Sequence, residues 1–135
     1  MKSNTALTWS FLCLVLLLPG CTSPDAKGPK THVAIAASDS TPADKQSADF
    51  VCNASNDQDV INKAIAGLPE TGGDVTLLPG LYVIRKSQLT HKGKPVSGGI
   101  LINKHNVALS GCGPSTRLVL ADKQDCNVID RKSVV

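Results

Sequence analysis

The chain has 135 residues, with 14 Lys+Arg against 11 Asp+Glu. That length holds at most one domain. Removing Lys2 from the 14 leaves 13 bases against the same 11 acids, a near-balance that speaks for solubility and gives no sign of a nucleic-acid partner, so none is expected.

Met1 to Gly20 has a basic start at Lys2, an apolar run from Phe11 to Leu18 and a small residue before Cys21. This is the anatomy of a secretory signal. The run is too short to span a bilayer, which takes roughly 20 residues. Leu18-Pro19-Gly20-Cys21 resembles the lipobox of bacterial lipoproteins, with Pro19 unusual in that motif. The resemblance implies that Cys21 is lipidated and begins the mature chain. It also implies an exported protein held at the cell envelope, with the membrane as partner. An ordinary signal peptide and a secreted product form the alternative.

Thr22 to Ala48 is rich in Ser, Thr, Ala, Asp, Lys and Pro. With Cys21 it reads as a flexible tether over residues 21–48, broken only by the apolar His32-Val33-Ala34-Ile35. His32 is read as a solvated tether residue. The folded part is expected over residues 49–135. Asp49 to Cys52 is a short apolar piece, read as a first or edge strand.

Ser55 and Gln58 have the spacing of a capping box, and Asp57 and Asp59 put negative charge in a first helical turn. Val60, Ile61, Ala64, Ile65 and Leu68 share one apolar helical face. Gly67 and Pro69 end the helix, and Gly72-Gly73 allow a sharp return. So short a helix must dock on something, and the expected role is to cover the end of a β structure.

After it come Asp74–Leu78 and Leu81–Ile84, strand-like and split by Pro79-Gly80. Ser87 to Gly99 is polar and reads as a loop, with His91, Lys92 and Lys94 in a solvated turn. Further short strands are expected at Gly98–Ile102, Val107–Ser110, Thr116–Ala121 and Cys126–Ile129, and no second helix. Many short strands broken by Gly, Pro and Asn turns fit a solenoid better than a sandwich or barrel.

Asn56-Asp57-Gln58 with its helix, then Gly72-Gly73 and Val75-x-Leu77-x-x-Gly80-x-Tyr82, resembles the start of pectate-lyase-like right-handed parallel β-helix proteins. Asn106-Val107-x-Leu109-x-Gly111-x-Gly113-Pro114-x-Thr116-x-Leu118 is similar to the next coils of that family. The resemblance covers Asp49 to Ile129. It implies a mainly β fold: a parallel β-helix start with one N-terminal capping helix. Val75, Leu77, Leu109, Leu118 and Leu120 would then face the coil interior. It further implies a polysaccharide partner, and calcium as the one cofactor the family suggests, for which no ligand set is evident here. Family enzymes keep their catalytic groups on central coils. This chain ends after about two to three coils, fewer than a stable capped solenoid needs, and reads as truncated. An open end is expected to make it associate with copies of itself. The alternatives are a non-catalytic surface β-helix or a gene product without independent activity.

Individual residues carry little chemistry. Asp57 and Asp59 fit helix-start duty, and Asp122, Asp125 and Asp130 match no calcium loop. His91 and His105 sit in turns with no nucleophile motif beside them. No catalytic, cofactor or metal residue is assigned. With Cys13 in the signal and Cys21 at the anchor, Cys52, Cys112 and Cys126 remain, and export permits one disulfide among them. Three single-pair choices exist, which spacing does not rank. Only Phe50 and Tyr82 remain as aromatics beyond the signal, too few for a sugar-stacking platform.

Overall fold

The computed structural model describes residues 30–132. The expected signal over Met1–Gly20, the expected anchor Cys21 and the first part of the expected tether lie outside the described residues. Among those described, no helix is long and apolar enough to cross a membrane.

The first difference from the sequence reading falls in the expected tether. Residues 32–36 form strand β1 (His32–Ala36) and residues 42–47 form helix α1 (Pro42–Ser47). In β1, Val33 and Ile35 point into the core at 6% and 0% exposure. The strand lies between two others, so its state is set by pairing on both sides. α1 is capped by Thr41, whose Oγ1 accepts from the Asp44 amide at 3.2 Å, and it carries Pro42 in its first turn. Strand β2 (Phe50–Val51) follows and pairs with β1 in parallel. It is the edge strand of its sheet, as expected.

Helix α2 (Asp57–Gly67) forms where its apolar periodicity places it. Ile61, Ala64, Ile65 and Leu68 are buried, and Val60 packs against the same cluster. The capping box is not formed. Asn56 holds the cap position without a side-chain hydrogen bond, and Asp57 and Gln58 are turned inward and buried.

Beyond α2 the chain is strands and turns. Three strands come first: β3 (Gly73–Leu77), β4 (Gly80–Ile84) and, after an insertion, β7 (Gly98–Ile102). The insertion, read as loop, is a hairpin of β5 (Thr90–His91) and β6 (Lys94–Pro95). Its turn residues Lys92 and Gly93 both have positive φ, 49° and 76°. Two positive φ values are the signature of a tight turn whose twist suits a hairpin. Three more strands follow: β8 (Val107–Gly111), β9 (Thr116–Leu120) and β10 (Asn127–Arg131). A single 3-10 turn over Gly113–Ser115 separates β8 from β9.

The pairing is ordered. β3 pairs with β8, β4 with β9 and β7 with β10, each in parallel. β1 pairs with the other edge of β3, so the largest sheet runs β2-β1-β3-β8. The register stacks like on like: Leu109 on Val75, Leu118 on Tyr82, Leu120 on Ile84, Ile129 on Ile100. The fold is therefore mainly β, built on parallel pairs, with its core between the three sheets and under α2.

Turns are tied across successive strands. Gly72 has φ +93°, and a Cβ there would run into the His105 and Asn106 carbonyl oxygens. The Gly73 amide donates to the Asn106 carbonyl at 3.0 Å. Only glycine supplies this backbone shape without a clash.

Candidate functional site

The densest polar construction lies where α2 meets the strand edges. In a parallel ladder alternate residues point their backbone groups to opposite sides. In β4 the Leu81, Val83 and Arg85 amides point away from β9 and have no strand beyond them. Each is taken by one side-chain oxygen. Leu81 donates to Asp39 Oδ1 at 2.8 Å, Val83 to Asp57 Oδ2 at 2.8 Å and Arg85 to Gln58 Oε1 at 3.0 Å.

β7 is closed in the same manner by one residue. Asn62 Nδ2 donates to the Gly99 carbonyl at 2.9 Å, and Asn62 Oδ1 accepts from the Leu101 amide at 2.8 Å. The carboxamide presents a donor and an acceptor side by side, as a backbone would. The remaining strand of the layer, β3, is covered by β1. Side chains of α2 thus take the place of a missing strand for β4 and β7.

Asp57 is the centre of this bracket. It is fully buried. Its Oδ1 also accepts from the Asn53 and Ala54 amides at 3.2 and 2.9 Å. Three N–H groups make an electrostatic substitute for water around a buried carboxylate. Such a group is spent on holding backbone, with no free edge for proton transfer. The helix's far end is closed from outside its own sequence. Lys104 Nζ donates to the Ala66 and Leu68 carbonyls at 2.9 and 2.6 Å and pairs with Glu70 at 3.2 Å. A cation there complements the negative end of the helix dipole.

A second set pins the corner before β4. Ser40 Oγ accepts from the Ala37 amide at 2.8 Å and donates to the Pro79 carbonyl at 2.5 Å. The Tyr82 hydroxyl is buried 2.8 Å from both the Ile35 and Leu78 carbonyls, between which its single proton is shared. Burial, then the neighbouring Cys52, Cys112, Asp39 and Asp57, pushes its ionisation upward.

The residues weighed from the sequence are scattered. Asp59 is exposed on α2, and Asp122 and Asp125 are exposed around a turn. Asp130 is buried, accepting from the Ser97 amide at 3.3 Å and paired with Lys132 at 2.9 Å. His32 and His105 are exposed, and His91 is half-buried opposite Lys94. Among the described residues no group of three or more His, Cys, Asp or Glu is placed to hold a metal. Cys52, Cys112 and Cys126 are free thiols. Cys52 is buried, and burial, followed by the Asp57 carboxylate, pushes its thiol up to about 12.

Sequence reasoning missed Asp39, Asn62 and Lys104 as structural ligands of the backbone, and gave Asp57 and Gln58 different duties. The available signal was a polar stripe, Asp57-Gln58-Asn62, on a helix otherwise read from its apolar residues. No protein-family model, no curated protein and no solved structure matches the chain.

Proposed function

We propose that this fold is the N-terminal cap and first coils of a right-handed parallel β-helix protein that binds or acts on polysaccharide. In this reading the protein is exported and held at a bacterial cell envelope by lipid on Cys21. The observation that carries it is the ordered parallel pairing of β3, β4 and β7 with β8, β9 and β10. A chain that winds through three sheets and returns to each in turn, in register, is what a coil requires. The α2 bracket supports the same reading, because the first coil of such a fold has strand edges that must be closed.

The reading assigns no catalytic residue to the described part. Its carboxylates are either committed to backbone, as Asp39, Asp57 and Asp130 are, or dispersed on the surface. This dispersal favours, as a second reading, a non-catalytic envelope protein whose coils present binding loops.

Retention on immobilised acidic and neutral polysaccharides tests the proposal, with product release followed in parallel. Retention on one class without new chain ends is expected of this chain. Absence of retention on every polysaccharide overturns the polysaccharide assignment. Anchoring is tested separately by membrane fractionation. Cys21→Ser is expected to move the protein to the soluble fraction, and an unchanged distribution removes the lipoprotein reading.

A further inference from the structure

The hairpin of β5 and β6 serves neither the parallel pairing nor the α2 bracket. It interrupts the passage from β4 to β7 and forms a two-stranded sheet of its own. Its root is fixed. Ser87 and Val96 are buried, the Ser87 amide donates to the Gly98 carbonyl at 3.1 Å, and the Val96 amide donates to the Leu89 carbonyl at 3.0 Å. Beyond the root, Gln88 to Thr90 and Lys92 to Pro95 are exposed, with His91 half-buried between them. A pinned root and a tight turn give the exposed part a set shape.

Its charge is one-sided. From Val75 to Ala121 the sequence has no Asp or Glu, against Arg85, Lys86, Lys92, Lys94, Lys104 and Arg117. Lys86 stands at the base of the hairpin, Lys92 in its turn and Lys94 on β6, all exposed. Among the described residues none of these three pairs with a carboxylate. The acids around the root belong to other elements. Asp59 lines a groove with Lys63, Ala66 and Leu89, so that α2 adds one charge of each sign. Asp130 is held by the Ser97 amide and Lys132. Asp122 and Asp125 flank Gln124, which accepts from the Lys86 amide at 3.0 Å. Lys86 is therefore the least one-sided of the three, and Lys92 and Lys94 carry the charge of the tip.

We propose that this hairpin is a contact for the anionic surface of a membrane, with Lys92 and Lys94 against lipid phosphates and Leu89 at the headgroup boundary. The inference rests on the envelope reading and names the part of the protein that turns toward the bilayer. Charge complementarity argues for it, since anionic headgroups draw exposed Lys and Arg lying within a Debye length. The side chains beside the cations favour lipid over polysaccharide. Leu89 is 43% exposed, an aliphatic group that suits the headgroup boundary. A sugar face wants an aromatic platform. The two aromatics of the described residues are elsewhere: Tyr82 is fully buried, and Phe50 lies in β2 with Lys63 Nζ over its ring. So few cations bind weakly by themselves. The contact gains effect when lipid on Cys21 keeps the membrane in reach, and it then sets orientation rather than attachment.

Co-sedimentation of the mature chain carrying Cys21→Ser with vesicles tests the proposal, because that chain has neither the lipid nor the apolar run Phe11–Leu18. Vesicles of phosphatidylcholine and phosphatidylglycerol in equal parts are expected to bind it at millimolar lipid, and vesicles of phosphatidylcholine alone are not. Lys94→Glu is expected to lower binding at least about fivefold. Arg117→Glu reverses the same charge on β9 and is expected to lower it less than about twofold. Amide protection at Val83 and Leu101 checks that each variant keeps the fold.

Absence of binding to the anionic vesicles overturns the proposal, as does equal binding to both vesicle types. Equal losses from Lys94→Glu and Arg117→Glu overturn it too, because net charge would then explain the binding. Retention on an acidic polysaccharide that Lys94→Glu abolishes, without vesicle binding, would give the hairpin to sugar and end the membrane assignment. Failure with vesicles leaves the Cys21 anchor standing, since membrane fractionation reads it separately. Failure of the anchor with vesicle binding intact would remove the lipoprotein reading alone.

Discussion

The Val83 amide donates to Asp57 Oδ2 at 2.8 Å, joining the middle of a strand to the first turn of a helix 26 residues earlier. The bond places a carboxylate, fully buried, where an adjacent strand's carbonyl would otherwise stand. It explains why α2 sits on the edge of β4 and why its first turn faces inward.

Asp57→Ala should therefore be among the most damaging single changes. It strands the Val83, Asn53 and Ala54 amides at once. Leaving three part-buried donors without an acceptor, around a site where the carboxylate itself is fully buried, costs on the order of 2 kcal/mol. Urea unfolding should show the midpoint falling accordingly. A change within about 0.5 kcal/mol would show that water replaces the carboxylate without loss.

Asn62→Leu keeps the volume and removes both hydrogen bonds to β7. The Gly99 carbonyl and Leu101 amide are then buried without partners, a loss of roughly 2 kcal/mol. The sharper measure is local. Amide exchange at Leu101 should accelerate far more than exchange at Tyr82, which lies in β4. Equal acceleration at both would mean that Asn62 supports the fold in general rather than this edge.

Gly72→Ala should destabilise through the backbone. The residue sits at φ +93°, and the added methyl meets two carbonyl oxygens. An ordinary Gly→Ala change in a compatible site stabilises slightly, so the sign is diagnostic. A loss of more than about 1 kcal/mol in thermal or urea unfolding is expected. Gly67→Ala is the control, since a Cβ there has open space.

Cys52 gives a dependence on alkaline pH. Its thiol rises from 9.0 to about 12 in the fold, first through burial and then through Asp57. The unfolded chain therefore loses this proton at lower pH than the folded chain does. Stability from the neutral thiol is full below pH 9.0 and is lost as pH climbs toward about 12. Tyr82 shifts in the same direction and adds to the slope. Cys52→Ala should flatten the decline in stability above pH 9.0 without abolishing it. A thiol reagent at pH 8 should label exposed Cys112 while sparing Cys52 until the protein unfolds.

How much of this was legible follows from the range of each interaction. The helix over 57–67 and the strands Gly73–Leu77, Gly80–Ile84, Gly98–Ile102 and Thr116–Leu120 carry their own periodicity and their own breakers, Pro79-Gly80 and Gly72-Gly73 among them. The interior places of Val75 and Leu77 follow from alternation alone. β1 was hidden because five residues amid polar sequence have no strand identity until β3 and β2 pair with them. The hairpin of β5 and β6 was hidden for a similar reason, two residues on each side being too short for a pattern.

Helix α2 shows the same division. The sequence by itself determined that α2 exists, which residues form its apolar face and that it must dock, because these depend on contacts within a few turns. Only the tertiary structure decided what its polar residues do. The strand-edge partners of Asp57, Gln58 and Asn62 lie 26 to 39 residues away, and no spacing within the helix encodes them. A buried polar side chain is assigned by whichever backbone group would otherwise go unbonded, and that is a property of the folded edge.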